Sequence, residues 1–406
     1  MVRPARRVLR WLVPAVVLLL VGAAAVAVAL RGDPADDPAG GAAHVRVDGD
    51  QLVDSRTGAT FTPRGVSWSS FEYACAQGWG YSALDSLLGG DPYTGEAEAI
   101  ARWGANTVRL PLNQDCWLGT RGAPVSDEHD ERSPQGYRAE VRRFVDALHR
   151  AGLVVVLDLH SRKRLTAPEF GNLAMPDPES LAFWTSVATA YRDDPSVMFD
   201  AFNEPYSRYD GADRLVFELT WPCWRDGGCG APVEDDRTAT DGRVTFPVQG
   251  MARVVSTIRD AGAEQPVLLG GLDYANDLEH WLEFAPDDDQ LVASFHAYDF
   301  KACADRACWD RVLAPLADSV PVITGELGAE DPLDGFVEDY LAWAADHGIG
   351  SLFWVWADHA GDPMSLLAEA PAEPTEWGRL AARLMGGSAA VPSAPASPAS
   401  PASPAG

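Results

Sequence analysis

Eight short apolar, mostly β-branched runs, each followed by a segment of helical period, divide residues 44–386 into a repeating strand–helix unit. The runs begin near Arg64 (RGVSW), Ala105 (ANTVRLP), Leu153 (LVVVLDLH), Val197 (VMFDAF), Pro266 (PVLLGG), Leu291 (LVASFH), Val320 (VPVITGE) and Gly350 (GSLFWVW). Helices are expected at 95–103, 135–151, 179–192, 247–261, 277–284, 305–318, 334–347 and 374–385. Ala-Gly at 151–152 and 261–262 and His-Gly at 347–348 supply stops just before strands. Strands joined by crossover helices lie parallel, and eight such units favour closure into a barrel over an open sheet. No glycine-rich phosphate loop follows the first run, which argues against a dinucleotide-binding sheet. The expected fold is therefore α/β, a (β/α)8 TIM barrel in one domain of residues 44–386. Ahead of it, VRVDGDQLVDSRTGATFTPRG has two turn signals in alternating sequence and predicts a small hairpin capping the bottom of the barrel.

The two ends of the chain read differently. Arg3, Arg6, Arg7 and Arg10 precede an uncharged stretch from Trp11 to Leu30, long enough to span a bilayer as a helix. Residues 1–30 are thus expected to be a signal peptide or a retained membrane anchor. Ala27-Val28-Ala29 offers a small-residue cleavage site, and the preceding arginines place the bulk of the chain outside the cell. Residues 31–43 read as a spacer, and 387–406, all Ala, Pro, Ser, Gly and Val, as a disordered tail. The net charge of −27 argues against nucleic-acid binding and suits a solvated surface on an exported, monomeric protein. Six cysteines in such a domain can pair. Cys223 with Cys229 and Cys303 with Cys308 are close enough to staple short loops, leaving Cys75 with Cys116, although six cysteines allow about fifteen pairings in all. No CxxC or HxH spacing marks a metal site, and no metal or cofactor is expected.

The C-terminal ends of the strands carry a concentrated polar set: Arg109, His160, Asn203 with Glu204, His296 with Tyr298, Glu326, and Trp354 or Trp356. In a barrel these ends converge on one face. A lone strand-end His or Arg is more often a satisfied structural residue, but this many together read as a site. Two glutamates so placed suit glycoside hydrolysis, in which one carboxyl is acid/base and the other nucleophile. Carboxylates about 5 Å apart resist ionising together, so one of them is expected to keep its proton.

The chain resembles glycoside hydrolase family 5, the cellulase-type group of retaining barrel hydrolases, over residues 61–385. The resemblance rests on NTVRLP, LDLH, FNEP, HAYDF, ITGELG and the aromatic FWVW in that order. EYACAQGWG and NQDCWLG are similar to stretches of secreted actinobacterial-type members, and their cysteines support the Cys75–Cys116 pairing. The resemblance implies Glu326 as nucleophile and Glu204 as acid/base. It implies Arg109 and Tyr298 as hydrogen-bond donors to Glu326, Asn203 as partner of the sugar 2-hydroxyl, and His160 and His296 as substrate-binding or carboxylate-orienting residues. Trp354 and Trp356 share strand parity, and Trp356, nearer the rim, is the expected sugar platform. Trp79, Trp117, Trp221, Trp224 and Trp309 fall in expected rim loops suited to stacking on sugars. The long segment 206–245 is expected to wall the cleft, and Tyr274 and Asn276 are further candidates for substrate contact. Two departures leave the chemistry intact but open the sugar preference: Leu327 replaces a frequent aromatic, and Ser161-Arg162-Lys163-Arg164 follows His160 where relatives carry an aromatic or amide. This basic run is expected to be a solvated loop, with contact to an acidic sugar or a glycan phosphate as the alternative.

The implied activity is a retaining β-glycoside hydrolase, cellulase-like on a β-1,4-glucan, with mannan or another β-glycan as alternative. A non-catalytic carbohydrate-binding barrel is the reading from another class. A metal-dependent hydrolase would require clustered His and Asp ligands.

Overall fold

The computed structural model describes residues 41–80, 92–125, 133–164, 169–235, 240–331, 333–359, 361–368 and 373–387. The expected leader or anchor, all but the last residues of the spacer, and the tail beyond Gly387 lie outside the described residues.

Eight strands form the barrel: β1 (Arg64–Trp68), β2 (Thr107–Asn113), β3 (Val154–Lys163), β4 (Val197–Asp200), β5 (Val267–Gly270), β6 (Leu291–Tyr298), β7 (Val322–Gly328) and β8 (Gly350–Trp356). Each pairs in parallel with its neighbours in sequence order, and β8 pairs with β1 to close the ring. Strand starts fall within two residues of those expected, because apolar β-branched runs flanked by helix stops leave little freedom of register. The principal crossover helices are Pro92–Arg102, Pro134–Arg150, Pro178–Tyr191, Met251–Asp260 and Phe336–Asp346, with Glu376–Leu384 after β8. Side-chain caps fix their starts where the sequence supplies them: Ser133, Asp177 and Thr375 each accept a hydrogen bond from a first-turn backbone N–H. The helix expected from 247 begins only at Met251, since Thr245–Gln249 is a strand paired antiparallel with Gly227–Pro232.

The N-terminal hairpin, Val45–Asp48 with Gln51–Asp54, pairs antiparallel as expected. Its Val45, Val47 and Leu52 pack with Val154, Val156, Met198, Leu268, Val292, Ile323 and Leu352, which contribute a layer from six barrel strands. Ala42 joins the same cluster, so packed chain begins slightly before residue 44. With this end closed by apolar side chains, polar inward-facing residues are left for the other end, where each strand finishes.

The disulfides are Cys75–Cys116, Cys223–Cys229 and Cys303–Cys308. The first ties the segment after β1 to the turn after β2, and the last closes the loop after β6.

Candidate active site

Arg109 organises the site. It projects from β2 into the barrel, is fully buried, and its guanidinium is shared among four side chains. Nε donates to Asp200 Oδ2 at 2.9 Å, Nη1 to Glu326 Oε1 at 2.9 Å and Nη2 to Asn203 Oδ1 at 2.7 Å. Nη2 also lies 2.9 Å from Asp158 Oδ2. Asp158 and Asp200 are register partners on the adjacent strands β3 and β4. Burial pushes both carboxyls up to about 8 against the pull of Arg109, so this pair retains a proton near neutrality. Burial alone would lower the Arg109 pKa, but Asp158, Asp200 and Glu326 raise it and keep the guanidinium charged.

Glu326, on β7, receives Arg109 on one oxygen and the Tyr298 hydroxyl on the other, the latter at 2.6 Å. His296, on β6, stands between the two glutamates: its Nδ1 is 2.9 Å from Glu204 Oε1 and 3.4 Å from Glu326 Oε2. Burial pushes the His296 imidazole down to about 3, so it is neutral. Gly325 makes this approach possible, because a Cβ there would lie 2.7 Å from Ser294 Oγ and 3.2 Å from His296 Nε2. Glu204 lies past the end of β4, where burial raises its pKa, opposed by Lys301, His160 and Arg109. Burial is thus the largest cause of proton retention at Glu204, a role that sequence reasoning gave to repulsion by the partner carboxylate.

Glu204, His296 and Glu326 each place one polar atom within 4.8 Å of the other two. A small cation could sit at such spacing, but the oxygens of Glu326 are already taken by Arg109 and Tyr298, which suits a hydrogen-bonded acid pair better than a metal centre. The spacing matches retaining chemistry, for which the carboxyls stand about 5–5.5 Å apart, whereas inverting pairs need roughly 6.5–9.5 Å.

A cleft of about 620 Å³ opens above these groups. His160 lines it, its Nδ1 held 2.7 Å from Asp158 Oδ2 and its ring stacked on Trp354 with centroids 5.7 Å apart and planes at 6°. Trp354 also lines the cleft; Trp356 does not. Trp356 is 2% exposed, gives its indole N–H to Glu96 and packs edge-on against Trp103. The shared parity of the two tryptophans fails because the register of β8 against β1 shifts between Phe353 and Trp356. Of the two, it is therefore Trp354 that the cleft presents.

Other expectations fail for equally local reasons. Of the five rim-loop tryptophans, Trp79 is 62% exposed and lines the cleft, while Trp117, Trp221, Trp224 and Trp309 are buried. Trp117 donates to Ser186, Trp224 to the Gly270 carbonyl and Trp309 to the Cys303 carbonyl, which satisfies each indole inside the packing. The segment 206–245 supplies no described side chain to the cleft. It backs the cleft from behind instead, with Tyr206 bonded to the Asn172 carbonyl and stacked on Tyr274, and with Trp221 stacked on Phe284. The basic run is no solvated loop: β3 continues through Lys163 and pairs with Phe170–Gly171. Arg162 is buried against Asp177 and the Val233 carbonyl, and Arg164 is bridged to Asp235 and Glu169. None of the run lines the cleft, so the alternative contact with an acidic sugar or a glycan phosphate has no basis there.

The cleft also holds Glu72, Tyr73 and His359, which the sequence did not single out, and Tyr274, which it did. Glu72, from the EYAC stretch, is 3% exposed, accepts from Ser69 Oγ and the Ser70 N–H, and is raised by burial. The Tyr73 hydroxyl lies 3.2 Å from His359 Nε2 in the segment after β8. Tyr274 enters the cleft from a turn after β5 in which Asp273, Tyr274 and Ala275 have φ of 49°, 59° and 58°. Left-handed backbone costs about 1–2 kcal/mol per residue for side chains of this hand, so the turn holds considerable strain. Asn276 serves structure: it bonds the His296 carbonyl and the Cys303 N–H and is buried.

Comparison with known proteins places the chain. The cellulase family, glycosyl hydrolase family 5, matches residues 69–360. The chain belongs to this family. A curated relative, cellodextrinase A of Ruminococcus flavefaciens, is 25% identical over 224 residues, 54% of this chain and about half (55%) of the relative. The β-glucanase of Saccharophagus degradans superposes with a TM-score of 0.60 at 21% identity, covering 84% of this chain and 92% of that one. A mannanase catalytic domain from Streptomyces sp. SirexAA-E gives 0.55 at 19% identity, over 86% and 92%. These structures share the barrel fold with the family 5 chain described here.

Proposed function

We propose that this family 5 protein is a retaining β-glycoside hydrolase acting on a β-1,4-glucan, with Glu326 as nucleophile and Glu204 as acid/base. The observation that carries the reading is the bridged pair itself: two carboxyls with an oxygen of each within 4.8 Å of the other's, one raised by burial, the other held by Arg109 and Tyr298. In the first step a Glu326 oxygen bonds to the anomeric carbon as the glycosidic C–O bond breaks, and the Glu204 proton goes to the departing oxygen. In the second, Glu204 takes a proton from water, whose oxygen replaces Glu326 on the anomeric carbon. Esterified Glu326 no longer repels a carboxylate, which eases the change of role at Glu204. Asn203 lines the cleft beside Arg109 and is placed to meet a sugar hydroxyl, while Trp354 offers the platform.

The names of the relatives support glucan: one is a cellodextrinase, and the Saccharophagus β-glucanase has also been solved with cellotetraose. The mannanase keeps mannan as the second reading. The three disulfides support export from the cytoplasm. No described helix is long and apolar enough to cross a membrane.

Product release from cellulose derivatives, mixed-linkage glucan, mannan, xylan and β-1,3-glucan tests the reading, with Glu326→Gln as control. Release is expected from the β-1,4-glucans and is absent in the control. Tight binding to one polymer without release would instead support the non-catalytic carbohydrate-binding barrel.

A further inference from the structure

The charged groups lining the cleft are unevenly placed. Glu72, Glu204, Glu326 and Asp362 are acidic, and Lys301 is the one lysine or arginine among the described lining residues. Its Nζ sits 4.1 Å from the centroid of the Tyr274 ring, and Tyr274 stacks in parallel on buried Tyr206 at 4.8 Å. Among the described residues Lys301 forms no ion pair, so its ammonium keeps donors to spare.

The seat of this cation is tied to both glutamates. The Tyr274 N–H donates to the carbonyl of Pro205, the residue after Glu204, at 2.9 Å. The Lys301 N–H donates to the carbonyl of Tyr298, whose hydroxyl holds Glu326. Asn276 joins the turn after β5 to the loop after β6 through the Cys303 N–H. The left-handed turn at Asp273–Ala275 brings the Tyr274 ring under the lysine.

Geometry also fixes which sugar Lys301 would meet. Glu204 must reach the departing oxygen, so the leaving sugar lies on its side of the cleft. The loop after β5 neighbours the end of β4, and its Tyr274, bonded to Pro205 beside Glu204, carries Lys301 of the next loop, after β6, toward that side. Tyr73, Trp79, His359 and Asp362 come from the segments after β1 and β8 at the other side.

Resting on the hydrolase reading above, we propose that Lys301 is a specificity-determining residue for the leaving sugar, donating hydrogen bonds to its hydroxyls, and a positioning charge for Glu204. The groups facing Glu204 are His296 and Tyr298 from β6, Glu326 from β7, Arg109 from β2, Asp158 and His160 from β3, Asp273 after β5 and Lys301 after β6. Of the cations among them, Lys301 has the largest effect in favouring the Glu204 carboxylate.

The test compares cellotetraose, whose leaving group is a sugar, with 4-nitrophenyl β-cellobioside, whose nitrophenolate needs neither a hydroxyl contact nor a proton; the manno counterparts serve if the polymer panel selects mannan. Lys301→Met is expected to lose about 10-fold or more in kcat/KM on the tetraose and at most about 2-fold on the aryl glycoside, the first being the usual effect of a charged hydrogen bond. The sign of the pH effect follows from the charge: without the cation Glu204 holds its proton to higher pH. The basic limb of kcat/KM on the tetraose should therefore move up by about 0.5 pH unit. Lys301→Arg should restore both. Equal losses on the two substrates, or a basic limb that stays in place, would overturn the proposal while leaving the hydrolase reading intact. Absence of turnover by the unmodified protein on either substrate would overturn both together.

Discussion

Glu326→Gln folds normally and loses turnover by a factor on the order of 10⁴–10⁶, because no other group can form the bond to the anomeric carbon. The substitution is isosteric: the amide oxygen can keep the Arg109 bond while the amide NH2 donates to the Tyr298 hydroxyl, so a thermal melt should stay close to that of the unmodified protein. Glu204→Ala is expected to behave differently. On natural glycans it loses roughly 10²–10⁴-fold, the usual contribution of a general acid. On glycosides with good leaving groups the first step survives, and azide, which needs no general base, restores turnover with retained configuration. Glu326→Ala does not turn over with retention under any of these conditions. Equal, azide-insensitive losses in both variants would contradict the division of roles.

The second large effect is at Arg109. Arg109→Met removes the one cation that faces Asp158, Asp200, Asn203 and Glu326 at once. Breaking a buried charge pair by deleting one partner costs about 3–5 kcal/mol, since the remaining carboxyls must either stay charged without a partner or take up protons. Urea denaturation at neutral pH measures the loss directly. Activity should fall as well, by about 10²–10³-fold, the size seen when one preorganised donor to a reacting group is removed. Arg109→Lys is not expected to rescue either property, because a point charge with three donors cannot span four partners placed around a planar fork. Pairing Arg109→Met with Asp200→Asn should recover part of the stability by removing one of the stranded carboxyls. An Arg109→Met protein as stable as the unmodified one would show that the cluster is neutral through its own protons and does not depend on the guanidinium.

Much of this was legible in the sequence because barrel strands report themselves twice, through apolar runs and through the polar residue that ends each run. Glu204 and Glu326 stand out since a charge at the end of such a run has to be placed at the rim. Asp158 and Asp200 were equally visible, two residues before His160 and four before Glu204. Asp158 shares the parity of Val154, Val156 and His160, which points it into the barrel and toward Arg109. Trp356 could not be separated from Trp354 in this way, since the parity argument assumes a regular strand and β8 is irregular at that point. Trp79 reaches the rim as expected, but Trp117, Trp221, Trp224 and Trp309 do not, because helices and loops outside the barrel have their own cores, where an indole finds a carbonyl or hydroxyl partner. The basic run after His160 reads as solvated only while β3 is assumed to end at His160; once it continues to Lys163, its arginines meet Asp177 and Asp235 from distant segments. Tyr274 was a candidate from the sequence, but its seating under Lys301 depends on a left-handed turn of three non-glycine residues, which no local propensity would suggest.

The central claim is that two carboxyls this close perform a double displacement, and the configuration of the first product decides it. Proton NMR of a cello-oligosaccharide digest, recorded before mutarotation proceeds, should show the β-anomer of the new reducing end appearing first and the α-anomer growing only later. Initial release of the α-anomer would mean a single displacement by water and would contradict the assignment of Glu326 as nucleophile.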